Sequence, residues 1–139
     1  MTRHLDPSTL TQFIGTEHWY RHSLARNVSY TDGVKYVADE AGAYWLVDII
    51  AIAQKFTPAV KEESLQFWKL TVKDDHSAVV VCTDGGKDVD DDGKAIYRTL
   101  YRQEITFTDF PLPEFDFYCC RDGVLGDGIE WVILLPSEY

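Results

Sequence analysis

Four groups of residues have types and spacings that could do chemistry. The first is Asp88-Val89-Asp90-Asp91-Asp92-Gly93, which satisfies D-x-D-x-D-G and sets carboxylates around a glycine turn. Hard, oxygen-seeking Ca²⁺ requires such an arrangement, and a looser site could also take Mg²⁺. An EF-hand loop closes on a bidentate Glu at its twelfth position, but Thr99 stands there and the flanks read as strands, so an EF-hand is rejected. A looser cation site at Asp88, Asp90 and Asp92 stands beside a structural reading in which Asp and Gly serve an exposed hairpin turn. The second group is His18 and His22, four residues apart with Glu17 alongside. On a helix or a strand the two imidazoles share a face, and with a carboxylate they could hold Zn²⁺. There is no H-E-x-x-H order, and Trp19 and Tyr20 between them point to packing. The third is Asp48, the one charge inside an apolar run. A buried carboxylate needs a partner, and Arg21, Arg26, His18 or His22 could supply it, as a structural network or as a catalytic acid. The fourth is Cys119-Cys120, where a nucleophile would need a nearby base and no local Cys-His signature provides one.

Other signals exclude function classes. Asp84-Gly85-Gly86-Lys87 is glycine-rich but lacks the spacing and the Ser or Thr of a phosphate-binding loop, and Ser137 has no Gly-x-Ser-x-Gly context. The net charge of -10 repels phosphate backbones and anionic lipid, which disfavours direct nucleic-acid or membrane-surface binding. That charge is lopsided: residues 1–70 carry 7 basic and 8 acidic side chains, residues 71–139 carry 6 and 15. The 4 Trp, 8 Tyr and 7 Phe therefore read as core rather than as a base-stacking surface. Three cysteines without a spaced framework suit a reducing cytoplasm, no secretory signal is visible, and the run from Tyr44 to Ala53 is too short to span a bilayer.

The elements that must position these residues follow from periodicity and punctuation. Asp6-Pro7-Ser8 starts a short helix carrying Leu10, Phe13 and Ile14 on one face. The stretch from Glu17 to Tyr30 reads as irregular or extended. Thr31-Asp32-Gly33 opens a second helix, with Val34, Val37, Ala38 and Ala41 at helical spacing and Gly42 as its stop. Tyr44 to Lys55 is apolar almost all round and predicts a central, buried helix closed by Pro58. After Pro58 the period becomes two. Trp68-Leu70-Val72, Ala78–Thr83, Ile96–Thr106, Phe115–Cys119 and Trp131–Leu135 read as strands, separated by the acidic loop Asp84–Lys94 and by Pro111 and Pro113. The expected fold is α+β: one domain over residues 1–139, N-terminal helices packed on one face of a C-terminal antiparallel sheet of about five strands.

Several stretches together resemble a family of small, uncharacterised bacterial and cyanobacterial proteins, a domain of unknown function met on plasmids and phages. They are Phe13-Ile14-Gly15-Thr16-Glu17-His18-Trp19-Tyr20-Arg21-His22, Tyr30-Thr31-Asp32-Gly33-Val34, Ala43-Tyr44-Trp45-Leu46-Val47-Asp48, Thr108-Asp109-Phe110-Pro111-Leu112 and Leu135-Pro136-Ser137-Glu138-Tyr139. They are spread over nearly the whole chain, and the loop Lys87–Lys94 looks like an elaboration on the family pattern. The resemblance implies no activity. The resulting expectation is a non-enzymatic cytoplasmic binding protein without a cofactor, presenting Asp88, Asp90, Asp91 and Asp92 to a protein partner in the manner of a nucleic-acid mimic, with exposed sheet edges that allow a homodimer. The competing expectation is a small metal-assisted hydrolase built on Glu17, His18, His22 and Asp48.

Overall fold

Thr31 ends one strand and begins a helix. Its hydroxyl accepts from the Val34 N–H at 3.4 Å, and Asp32 favours the positive end of the helix dipole. Helix α1 (Asp32–Ala41) buries Val34, Val37, Ala38 and Ala41 at the expected spacing and stops at Gly42. Helix α2 (Tyr44–Phe56) follows at once. Thr57 is extended, as a residue before proline must be, and Pro58 then opens a one-turn helix, α3 (Pro58–Lys61), rather than simply closing α2. The computed structural model describes residues 18–121 and 128–139, so the helix expected over Asp6–Ile14 lies outside the described residues.

The described strands are β1 (Trp19–Arg21), β2 (Val28–Thr31), β3 (Leu65–Val72), β4 (Ala78–Thr83), β5 (Asp88–Val89), β6 (Ala95–Ile96), β7 (Thr99–Ile105), β8 (Glu114–Arg121) and β9 (Trp131–Leu134), followed by a 3-10 turn (Pro136–Glu138). Seven of them form one sheet in the order β1-β2-β9-β8-β3-β4-β7, while β5 and β6 make a separate ribbon. The architecture is thus α+β with a larger sheet than five strands, and the described helices lie between β2 and β3 rather than ahead of every strand. The sheet is also mixed, because β2 pairs with β9 in parallel. Strands β3, β4, β7 and β8 run in the spatial order 8-3-4-7, a Greek key, with the segment through Pro111 and Pro113 carrying the chain back to β3.

Alternation along the central strands separates two faces. Trp68, Leu70, Val80, Cys82, Phe117 and Cys119 are buried and form the core with the inner sides of α1 and α2. Cys119 and Cys120, as neighbours in a strand, face opposite ways: Cys119 is buried, Cys120 is half-buried, and the described cysteines form no disulfide. Burial pushes the Cys82 thiol up to about 12 and the Cys119 thiol well above its ordinary value. Strand β3 begins three residues before Trp68, since a buried polar residue, Gln66, occupies a core position. Its amide exchanges two 2.7 Å hydrogen bonds with the Gln54 amide of α2, donates to the Val60 carbonyl at 2.8 Å and accepts from Trp68 Nε1 at 2.9 Å. This network fixes α2 and α3 over β3 with its polar atoms paired.

Helix α2 departs from expectation in one respect. Its inner side is buried, but Tyr44, Ile52 and Phe56 are exposed, and with half-buried Asp48 they form a stripe at four-residue steps. Among the described residues, this helix, apolar almost all round, is covered on one side.

Candidate functional site

The face of the sheet away from α1 and α2 carries the other half of each central strand. The β3–β8 register sets Phe67 opposite Tyr118 and Lys69 opposite Asp116. The Phe67 and Tyr118 rings meet edge to face at 4.9 Å, and Tyr139 packs on Tyr118 at 5.6 Å. Around them lies an open hollow of about 610 Å³, walled by Phe67, Lys69, Val81, Tyr97, Asp116 and Tyr118. That volume is in the range of small-ligand and peptide sites, and an apolar lining with a few polar groups is their usual chemistry. Lys69 lies 3.6 Å from the Glu114 carboxylate and opposite Asp116 in the register, so its charge sits between two acidic residues.

The β5–β6 ribbon rises beside the hollow. Gly85 crosses Phe67 so closely, at φ +77°, that a Cβ there would stand 2.2 Å from the ring. Asp84 clamps both stems of the ribbon: its Oδ1 accepts from the Gly86 N–H at 2.9 Å and the Arg98 N–H at 3.2 Å. These backbone donors, that of Gly86 foremost, hold the buried carboxyl below its ordinary range, and Oδ2 has no partner among the described residues. At the tip, Asp90 Oδ1 accepts from the N–H groups of Asp92 and Lys94, both at 2.9 Å, and the Asp90 N–H donates to the Lys94 carbonyl. Asp90 is thereby committed to turn geometry, while Asp88, Asp91 and Asp92 are exposed.

The histidine group is divided. His18 is exposed and approaches Asp32, its Nδ1 3.6 Å from the carboxylate. His22 is buried and reaches across to α2, its Nε2 2.7 Å from Asp48 Oδ1. On the other side of the ring, Nδ1 accepts from the N–H groups of Leu24 at 3.2 Å and Ala25 at 2.9 Å. Two donors at Nδ1 require an acceptor there, so the ring proton sits on Nε2 and is donated to Asp48. Both ring nitrogens are engaged. Among the described residues no group of three His, Cys, Asp or Glu side chains is placed to hold a metal ion, and Glu17 lies outside them.

One turn from Asp48, the Tyr44 hydroxyl donates to Asp39, which also receives Lys35 at 2.7 Å. Burial and then the Asp39 bond push Tyr44 up to about 12, while Lys35 and Tyr44 together hold Asp39 below its ordinary value. Lys35 also covers the Tyr20 ring, which stacks on Tyr30 at 5.7 Å. These aromatic and charged groups satisfy one another at the surface. At the end of the chain, the Glu138 carboxylate accepts from the Thr31 hydroxyl at 2.6 Å, the Leu135 N–H at 2.9 Å and the Gly33 N–H at 3.2 Å, which caps α1 with a distant anion.

Periodicity and motif had not singled out Phe67, Tyr97 and Tyr118. Phe67 alternates with Trp68 in the wrong phase for the core, which is the signal a sequence offers, but only strand pairing shows that Tyr118 meets it. Among the described residues no helix is long and apolar enough to cross a membrane. No curated protein and no solved structure matches the chain. A match does extend over residues 5–139, essentially as far as the resemblance noted above, and by it the chain belongs to the family of unknown function DUF6876.

Proposed function

We propose that the chain is a non-enzymatic binding protein that takes a basic, partly apolar segment of a protein partner onto the open face of its sheet. The observation that carries this reading is the aromatic hollow of about 610 Å³ with Asp116 in its wall and Glu114 beside Lys69. Aromatic side chains supply large contact area at little entropic cost, and acidic groups around them select a cationic partner and speed its approach. The ribbon carrying Asp88, Asp90, Asp91 and Asp92 joins this surface through Tyr97, which follows β6 directly. In its sharper form the reading makes the acidic face a stand-in for nucleic acid on a basic partner. Buried thiols held protonated suit a cytoplasmic setting, and the bacterial, mobile-element origin suggested by the resemblance belongs to the same proposal.

The hydrolase reading gains one specific observation, the short His22–Asp48 contact. For His22 to bind metal or accept a proton, however, it must release either Asp48 or the two backbone N–H groups. A displayed random-peptide library selected on the immobilised protein tests the binding reading. Selected peptides should combine Lys or Arg with apolar residues and lose binding to a Tyr97→Ala, Asp116→Asn variant. Peptides without a basic bias, or binding indifferent to these substitutions, overturn it.

A further inference from the structure

Strand β7 is a sheet edge: β4 pairs with one side, and among the described residues no strand pairs with the other. In an antiparallel ladder every second residue turns its N–H and C=O away from its neighbour, so β7 offers free groups to another strand. Natural edges usually carry charge against such pairing, and β7 carries Arg102 and Glu104, joined at 3.2 Å. Their spacing nevertheless makes the edge complementary to itself. We infer that β7 pairs antiparallel with β7 of a second copy of this chain about a two-fold axis at Gln103, giving a dimer with one continuous sheet.

In that register Arg102 stands opposite Glu104 of the partner subunit, twice by symmetry, and Tyr101 stands opposite Ile105 of the partner subunit. A slip of two residues one way sets Arg102 against its own copy, and the other way sets Glu104 against its own copy. Both put like charges face to face. A slip of one residue sets free backbone groups against groups already bonded to β4. Charge and hydrogen bonding therefore favour the register centred on Gln103 over its nearest neighbours.

The helix-side flank of the edge supplies the apolar part of the interface. Ile49, Ile52, Ala53 and Phe56 of α2 form one wall of an open groove whose other wall is Tyr101 and Gln103 of β7. Phe56 is 71% exposed, and the outward stripe of α2 lacks a cover among the described residues. A two-fold axis through Gln103, normal to the sheet, puts both helix layers on the same face, so each stripe turns toward the other copy. The groove lies on the face of the sheet opposite the hollow, whereas Arg102 shares the hollow's face beside Val81; self-association is read by sedimentation and the hollow by Tyr97→Ala, Asp116→Asn, so one can fail without the other.

Sedimentation velocity across a concentration series tests the dimer, with circular dichroism confirming that each variant is folded. Arg102→Glu leaves Glu at both positions, and Glu104→Arg leaves Arg at both. Each alone should weaken self-association by about tenfold or more, and the loss should shrink in high salt. Mixed together they should restore a heterodimer, since every opposed pair is again of opposite sign. A wild-type chain that sediments as a monomer at every concentration, or a dimer unmoved by either reversal, overturns the inference.

Discussion

Replacing Gln66 with Leu should cost the fold more than its modest chemistry suggests, and a second removal should give some of that back. Leu fills nearly the same volume, so packing changes little. Two buried groups lose their partners: Gln54 Oε1, which accepts from Gln66 Nε2, and Trp68 Nε1, which donates to Gln66 Oε1. At about 1–3 kcal/mol for each stranded buried group, the single variant should lose roughly 2–6 kcal/mol, a large part of an ordinary domain's stability. Gln54→Leu alone is milder, because Gln66 keeps Val60 and Trp68 as partners. The double variant strands Trp68 Nε1 alone, so it should be more stable than Gln66→Leu by about 1–3 kcal/mol. Urea unfolding followed by tryptophan fluorescence reads all four corners of the cycle, and a slope of about 2 kcal/mol per molar makes such differences a midpoint shift near 1 M. If Gln54→Leu lowers the stability of Gln66→Leu as much as it lowers that of the wild type, the amide pair is not a coupled unit and the reasoning fails.

Two further outcomes follow from the groups around Asp48. His22→Ala should cost about 2–4 kcal/mol, since it strands the N–H groups of Leu24 and buried Ala25, whereas Asp48→Asn keeps an acceptor for Nε2 and should cost under about 1 kcal/mol; equal losses in thermal melts would contradict the assigned tautomer. Tyr44 is raised from 10.0 to about 12 in the fold, so its stabilising effect is complete below pH 10 and is lost as pH rises toward 12. Tyr20 and Tyr30 are raised as well, so ultraviolet titration should show a group of late tyrosinates from which Tyr44→Phe removes one, and a wild-type-minus-variant difference centred at the ordinary tyrosine value would refute the Asp39 bond.

The helices were legible because their signals are local. Thr31, the Val34–Ala41 spacing and Gly42 mark α1, and the long run from Tyr44 places α2 within a residue of its observed end. Strand-turn-strand alternation likewise located β4 and, less completely, β3 and β8. At β3 the core position of Gln66 interrupted the alternation, because a polar residue belongs there only once Gln54 and Trp68 are across from it. The short strands β1 and β2 stayed undivided within a stretch read as irregular or extended, for a related reason. Three and four residues carry little period of their own, and β2 is a strand by virtue of β9, about a hundred residues away.

The candidate sites divide along the same line. Composition by itself determined the acidic character of the second half of the chain, and local chemistry determined that Asp90 and Gly93 make a turn. Four partners were open to Asp48 in the sequence, and only tertiary packing chose His22 and then occupied both of its nitrogens. The aromatic hollow and the self-complementary edge depend on strand order and register, which set Phe67 against Tyr118 and leave β7 outermost among the described strands. Side-chain type and period are written along the chain, but which strand lies beside which is decided by long-range burial and backbone pairing, and these surfaces exist only after that choice.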